Sequence, residues 1–383
     1  MKFLHTADWH LGRIFHQIHL TDDQSAVLDR IVEIAKAENV AAVIVAGDLY
    51  DRAVPPPEAV ALLDRTWQRI ISEVNVPIIA IPGNHDSATR VGYGSTLLQK
   101  AGLHIVADFE RALTPITLGD VDIFALPFAE PAEVRAWSGD LTVRDHASAV
   151  ACCIERMRDR FSPDRARVLV AHAFVAGART ESDSERPLSV GGAGTVPVDV
   201  FQDFHYTALG HLHAAQSVSE RCLYAGSPMK YSFSEADHVK SVTIVDIDDA
   251  GSVSTKHIPM TARRDVRTIE GELGQLIAAA PDDGQRADYL RVVLTDQGAL
   301  LNAIGRLREA YPNVLQLERR FLTREASAVS NVAKRQQATE SELFSSFFSE
   351  VLEREPSTLE TALFEETLEE LRREDAERQE VSS

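Results

Sequence analysis

Five short segments of this 383-residue sequence place oxygen and imidazole side chains directly after apolar runs. They are Asp8-x-His10, Gly47-Asp48-x-x-Asp51, Gly83-Asn84-His85-Asp86, His172 and Gly210-His211-x-His213. The runs before them, such as Ala41-Ala42-Val43-Ile44-Val45 and Pro77-Ile78-Ile79-Ala80, read as buried strands. Residues i and i+2 of an extended segment point to the same side, so Asp8 and His10 can address one ion. The donors are carboxylate, amide and imidazole with no thiolate. That set suits Mn²⁺, Fe²⁺ or Zn²⁺ in mixed N/O coordination better than Ca²⁺ or a structural zinc. Asp8, His10, Asp48, Asn84, His172, His211 and His213 are too many ligands for one ion and about right for two that share a bridging carboxylate. Two ions roughly 3.5–4 Å apart can clamp a phosphoryl group and neutralise its developing charge. Singly, each segment has a plainer reading: Gly-Asp marks ordinary turns, and a lone histidine after a strand is usually a satisfied core residue. Their recurrence at five strand ends argues for chemistry.

The elements that must position these residues follow from hydrophobic periodicity. Residues 2–6 form a strand, 22–37 show helical spacing, and a helix after the prolines at 55–57 carries Val60, Leu63, Trp67 and Ile70 on one face. The result is a β-α-β-α-β alternation with polar residues at the carboxyl ends of strands, where open α/β folds place their ligands. A helix at 94–101 follows. Strands at 104–106 and 121–125 suggest a second sheet, which a helix at 144–161 and strands at 167–171, 206–209, 224–228 and 241–246 extend.

Beyond a composition shift at 259–264 lies a compact alternation of strand (266–269), helix (273–280), strand (289–294), helix (299–311) and strand (314–317). Residues 326–338 read as a linker. Thr339 to Glu342 and Ser357 to Glu360 fit capping boxes that open two helices, parted by Pro356. The first helix puts Leu343, Phe344, Phe347, Phe348, Val351 and Leu352 on one face; the second carries Leu359, Leu363 and Leu371 among many acids. An apolar row of that kind beyond a linker asks for a partner surface. The expected class is α/β (α+β), with domains at 1–262 and 263–325, the linker, and a helix pair at 339–383.

Composition narrows the function classes. A length of 383 residues exceeds one ordinary core. No apolar run approaches the roughly 20 residues that span a bilayer, and residues 1–8 turn polar too soon for a secretory signal. Cys152, Cys153 and Cys222 give neither a disulfide framework nor a C-x-x-C pair. The expectation is a cytoplasmic protein with reduced thiols. The net charge of −19 argues against a simple nucleic-acid coat. Part of it is local, since residues 331–383 hold 14 Asp and Glu against 6 Lys and Arg. Bound divalent cations would cancel more.

The five motifs, in this order, resemble the calcineurin-like metallophosphoesterase superfamily over roughly residues 1–250. The resemblance implies a two-layer β-sandwich flanked by helices. It implies one metal held by Asp8, His10, Asp48 and His213, and a second by Asp48, Asn84, His172 and His211. His85 would protonate the leaving oxygen, and Asp51 would orient it. A narrower likeness lies in Glu185-Arg186-Pro187-Leu188-Ser189-Val190-Gly191-Gly192, Ala208 to His213, Tyr224-Ala225-Gly226-Ser227-Pro228 and Tyr231-Ser232-Phe233-Ser234-Glu235. These segments are similar to the SbcD family, nuclease subunits of bacterial SbcCD complexes.

That family implies Mn²⁺ as the metal, 3′-to-5′ exonuclease action on duplex ends, and endonuclease action on single strands and hairpins. The small domain resembles a capping domain that positions DNA, and the helix pair resembles the segment that docks on the coiled coil of the SbcC ATPase. A homodimer within a heterotetramer is expected; the family resemblance offers the Val60, Leu63 and Trp67 helix as its interface, and ordinary core packing is the equal alternative. Work on DNA places the protein at the nucleoid. ATP must act through SbcC, because no G-x-x-x-x-G-K-[ST] is present. Arg52 stands where archaeal and eukaryotic relatives tend to carry histidine, in keeping with the bacterial branch. Arg13, Phe15, His16, Arg52 and Arg90 lie near the motifs and are candidate phosphate contacts. Gly191 to Gly194 reads as a flexible connection. The alternatives are a small-substrate or cyclic-nucleotide phosphodiesterase of the same superfamily, and an inactive scaffold.

Overall fold

The structure is a computed structural model that describes residues 1–179, 182–183, 185, 194–248, 250–297, 300–320, 339–352, 354 and 356–368. The expected linker at 326–338, Arg186 to Ala193 and Leu371 lie outside the described residues, as do the side chains of Phe347, Val351 and Leu352. The chain divides into two compact units, Met1–Arg267 and Thr268–Ser383.

Two six-stranded sheets make the first unit. One runs in the order Val253–Pro259, Ser241–Ile247, Lys2–Thr6, Ala42–Ala46, Ile78–Ile81, Leu103–Ile105. The last four strands are parallel, and the first two are antiparallel additions. The other sheet runs Gln216–Ser217, Cys222–Tyr224, Tyr206–Gly210, Ala166–His172, Val121–Leu126, Ile116–Leu118, again with four parallel strands inside antiparallel edges. Central strands such as Ala42–Ala46 are apolar throughout because both faces are covered, one by the opposite sheet and one by helices. Phe3, Ile44 and Ile79 from one sheet and Phe124, Val170 and Ala208 from the other share one continuous core.

Three expectations are corrected. Leu103–Ile105 joins the first sheet beside Ile78–Ile81 rather than opening the second. Residues 94–101 are not one helix but a turn of α-helix at Ser95–Leu98 and a 3₁₀ turn at Gln99–Ala101. The Pro57–Arg69 helix buries Ala59, Leu62, Leu63 and Thr66, while Val60 is exposed. Val60, Leu63 and Trp67 do share one face, lining an apolar groove of about 870 Å³, whereas Ile70 is buried and not part of that lining. The edge strand Val253–Pro259 gives little sequence signal, since its side chains are mostly solvated.

The sheets approach each other tightly at the end where the motifs lie. A Cβ on Gly210 would overlap the carbonyl of Ala46 across the seam, and one on Gly47, whose φ is +90°, would enter the His172 ring. Nearby, buried His5 spans the two layers, its Nδ1 2.9 Å from the Tyr206 hydroxyl and its Nε2 3.2 Å from the Leu209 carbonyl oxygen. Burial pushes its pKa down to about 3, so it acts as a neutral bridge.

In the second unit, the strands Val266–Gly271, Tyr289–Leu294 and Val314–Arg319 form a three-stranded sheet. The helices Leu273–Ala279 and Ala303–Ala310 supply Leu273 and Leu307 to a core with Leu290, Val292 and Val314. Both capping boxes are present. Thr339 and Glu342 exchange bonds of 2.7 and 3.3 Å, and Ser357 and Glu360 bonds of 2.8 and 3.3 Å. The Glu340–Leu352 helix and residues 358–368 meet through Phe344, which stacks on Phe364 at 4.1 Å. Part of the expected partner face thus holds the helix pair together, while Leu359 and Leu363 stay 81% and 63% exposed.

If the close approach of the sheets is required, Gly210→Ala should destabilise the protein by about 1–3 kcal/mol, the usual range for overpacking a tight core. Urea unfolding followed by circular dichroism would measure this. A midpoint equal to that of the parent would mean that the seam can open freely at this point.

Candidate metal centre

Every motif residue leaves a parallel strand at its carboxyl end. Lys2–Thr6 leads to Asp8 and His10, Ala42–Ala46 to Asp48, Ile78–Ile81 to Asn84 and His85, and Tyr206–Gly210 to His211 and His213; His172 is the last residue of its own strand. The turns are tight. Asp8, His10, Asp48 and His211 have φ of 55°, 44°, 50° and 108°, in or near the left-handed region that non-glycine residues rarely adopt. Such strain persists only where the surroundings over-determine it, and it gathers at functional sites.

Here the surroundings are backbone donors and fixed side chains. The His211 N–H donates to both oxygens of Asp8 at 3.0 and 3.1 Å, and the His85 N–H donates to Asp48 Oδ1 at 2.9 Å. Asp86 accepts from the N–H groups of Leu49, Tyr50 and Gly83 at 2.9–3.0 Å, tying the Asn84 loop to the Asp48 loop. Gln24, on the Thr21–Ala37 helix, donates to the carbonyls of Trp9 and His10 at 3.2 and 2.7 Å and accepts from Gly12 N–H.

The seven expected ligands converge on one buried place. Asn84 Oδ1 lies 2.9 Å from His172 Nε2 and 3.1 Å from His211 Nδ1. His10 Nε2 and His213 Nε2 face each other at 3.0 Å. Asp48 Oδ2 is 3.6 Å from His10 Nε2, 3.5 Å from His172 Nε2 and 4.0 Å from His85 Nε2. Candidate donor atoms of Asp8, His10 and Asp48 all lie within 4.8 Å of one another. So do those of His10, Asp51 and His85, a second grouping that the sequence did not suggest.

Asp51 meets His85 through its backbone, with His85 Nδ1 2.9 Å from the carbonyl oxygen. The Asp51 carboxylate takes Arg13 at 2.7 Å and lies 3.7 Å from His10 Nδ1. Arg52 is exposed, 4.0 Å from the other Asp51 oxygen. His16 is exposed on the Ile14–His19 hairpin, its ring against Phe15 and Phe233, whereas Phe15 itself is buried. Arg90 lies elsewhere, on the apolar groove beside Trp67 and Tyr93.

The electrostatics fit divalent cations. Burial, and then neighbouring rings, hold the His10 and His211 imidazoles well below the usual range, and burial pushes His172 down to about 4. Neutral imidazoles with free lone pairs are the form that binds metal. Burial and the nearby Asp48 carboxylate raise Asp8 well above the usual range, and the same two causes push Asp86 up to about 7. Carboxylates crowded in this way call for positive charge that neutral histidines do not bring.

The model of the calcineurin-like phosphoesterase family matches residues 1–215. The chain belongs to that family. Membership makes it a metal-dependent phosphoester hydrolase whose fold binds divalent ions. The model of the SbcD C-terminal domain, described as type 5 capsule protein repressor C-terminal domain, matches residues 262–351, and the two together place the chain in the SbcD branch of the family. The chain also has a likeness to the crystal structure of TT1561 from Thermus thermophilus, at 13% identity, TM-score 0.39, covering 67% of this chain and 98% of that one. A dimetal phosphatase from Danio rerio gives 10% identity and TM-score 0.39, covering 68% and 98%. The family assignment rests on the family models. Among the described residues no helix is long and apolar enough to cross a membrane.

The roles of Gln24, Glu185, Glu235 and Lys240 escaped sequence reading. Glu185 and Glu235 stand in the SbcD-like segments, yet nothing in their spacing says that they reach His213. Glu185 accepts the His213 N–H at 2.8 Å, and burial pushes its pKa up to about 7.

A cation that binds this centre only in the folded state stabilises it by about 2.7 kcal/mol at a hundredfold excess over its Kd. Mn²⁺ added to EDTA-treated protein is therefore expected to raise Tm by several degrees in differential scanning fluorimetry. An unchanged Tm would mean that the buried carboxylates are compensated without an ion.

Proposed function

We propose that this chain is the Mn²⁺-dependent nuclease subunit of an SbcCD-type complex, cleaving DNA phosphodiester bonds at the centre around Asp48. The observation that carries the reading is the place of Asp48 Oδ2, nearly equidistant at 3.6 and 3.5 Å from His10 Nε2 and His172 Nε2. One carboxylate oxygen thus faces two sets of donors. We assign Asp8, His10 and His213 to one ion and Asn84, His172 and His211 to the other, with Asp48 common to both. When bound, the two ions supply Lewis acidity and positive charge at the scissile phosphate.

His85 is assigned the proton. Its Nδ1 is held by the Asp51 carbonyl, which leaves Nε2 turned to the centre to protonate the leaving sugar oxygen. Asp51 orients that ring through its backbone and fixes Arg13 through its carboxylate. Arg13, His16 and Arg52 are assigned to the DNA backbone, because Arg13 and Arg52 border Asp51 and His16 sits on the adjoining hairpin. Arg90 is left out of that set because it lines the groove.

Exonuclease action on duplex ends, endonuclease action on single strands and hairpins, and ATP dependence through SbcC follow from the SbcD branch, with the cytoplasmic nucleoid as the place of work. The C-terminal domain match and the exposed Leu359 and Leu363 support docking of the helix pair on the ATPase. The groove beside the Pro57–Arg69 helix is assigned to a second copy of this chain. Val54, Tyr93 and Leu98, exposed at 62%, 87% and 39%, line it and form an apolar rim that a homodimer would cover.

The test is cleavage of circular single-stranded DNA by the purified chain with Mn²⁺, repeated with SbcC and ATP. His85→Ala should lose about 10²–10⁴-fold in rate, the range for a general acid, with metal content unchanged. No cleavage by the parent even with SbcC and ATP would overturn the nuclease reading. For the dimer, the double variant Val60→Glu, Tyr93→Glu should run as a monomer in light scattering while the parent runs as a dimer. Equal masses would remove this face from the interface.

A further inference from the structure

The segment Tyr231-Ser232-Phe233-Ser234-Glu235 has no part in the assignments above, yet it wraps the His10 and His213 side of the centre. The Tyr231 hydroxyl donates to the Trp9 carbonyl, and its ring packs edge-on against His10 and His213 at 5.4 and 5.8 Å. Ser232 caps the 3₁₀ turn Phe233–Glu235 and so fixes where Glu235 points. Glu235 is fully buried. Its Oε1 lies 2.9 Å from His213 Nδ1 and accepts from Ser182 Oγ at 2.6 Å. Its Oε2 takes Lys240 Nζ at 2.6 Å and the Tyr231 N–H at 3.2 Å. Lys240, itself buried, also donates to the His213 carbonyl at 2.9 Å and to Ser227 Oγ at 2.8 Å. One ammonium therefore holds both the carboxylate and the backbone of the histidine that the carboxylate faces.

We infer that Glu235 and Lys240 are positioning residues that make the two metal subsites unequal: Glu235 fixes the Nδ1–H tautomer of His213 and strengthens Nε2 as a ligand. This rests on the two-metal reading above. The other rings are held differently. His172 Nδ1 lies 2.9 Å from the Ala46 carbonyl oxygen, His211 turns Nδ1 toward its fellow ligand Asn84 Oδ1 at 3.1 Å, and His10 Nδ1, 3.7 Å from Asp51 Oδ1, has no hydrogen-bond partner among the described residues. A carboxylate behind a ligating imidazole raises its basicity more than a neutral carbonyl does, and losing such a partner typically weakens metal binding 10–100-fold. A buried ion pair adds little net stability compared with apolar packing of the same volume. Its presence here is accounted for by the ring that it orients.

The experiment is calorimetric titration of Mn²⁺ into the metal-free full chain, its Glu235→Gln variant and the double variant Glu235→Gln, Lys240→Met, which leaves no unpaired ammonium. Tm of each metal-free protein is read alongside. The parent should take up two ions. Both variants should weaken one of them about 10–100-fold and leave the other unchanged, with the metal-free Tm of the double variant near that of the parent. Two ions bound with parent affinities in the folded variants would overturn the inference and leave the two-metal reading standing. A parent that takes up fewer than two ions would overturn both. If neither variant folds, nitrogen-15 spectra of histidine-labelled metal-free parent decide the matter. A His213 ring protonated at Nδ1 supports the inference, and one protonated only at Nε2 overturns it.

Discussion

Two carboxylates, Asp8 and Asp48, lie almost without solvent exposure in the seam between two sheets, and the rest of the first unit is built to tolerate them. Burial, and then the neighbouring Asp48 carboxylate, oppose the ionisation of Asp8. The chain answers with peptide N–H groups aimed at the oxygens, from His211 onto Asp8 and from His85 onto Asp48. Those N–H groups are in place only because the strand ends turn abruptly through residues at positive φ. Strain and like charge are thus gathered at one point, where a divalent cation would relieve the second and the packed sheets hold the first.

Asp86 illustrates how rigid that arrangement is. It is not among the assigned ligands, yet its two oxygens collect three backbone donors from two loops. The Asn84-His85 turn and the turn after Asp48 are therefore tied to each other through one carboxylate. Asn84, which faces His172 and His211, and His85, which faces Asp48, are adjacent residues with different surroundings. In the proposed reading one loop carries a ligand and a proton donor, and the lock at Asp86 follows them directly.

Much of this was legible in the sequence because the information is local. Apolar runs of four or five residues mark the parallel strands, and the recurrence of polar residues at five such strand ends argues for chemistry. The S/T-x-x-E boxes at Thr339 and Ser357 were readable for the same reason. What was not legible depends on partners far away in the chain. The Pro57–Arg69 helix has two apolar faces, and periodicity does not say which one the core takes. Leu103–Ile105 is too short for its sheet to be read from it. Glu235 and Lys240 are charged residues in an ordinary-looking stretch, and only the fold shows that both are buried against His213. The −19 net charge likewise says little about the centre, since much of it lies in the C-terminal 53 residues.

The two donor groups around Asp48 explain why the sheets and the centre must form together. The first sheet supplies Asp8, His10, Asp48 and Asn84; the second supplies His172, His211 and His213. Neither sheet alone holds a complete group. Some of the bonds that shape the site, such as His211 N–H to Asp8, join residues 203 positions apart. Contacts of such span carry a loop-closure cost that shorter-range contacts do not. What brings the halves into register is the seam itself: Gly210 against Ala46, Gly47 against His172, and His5 reaching across to Tyr206. These residues bind no ion in the present reading. They set the distance between the sheets, and that distance decides whether Asp48 can face both groups at once.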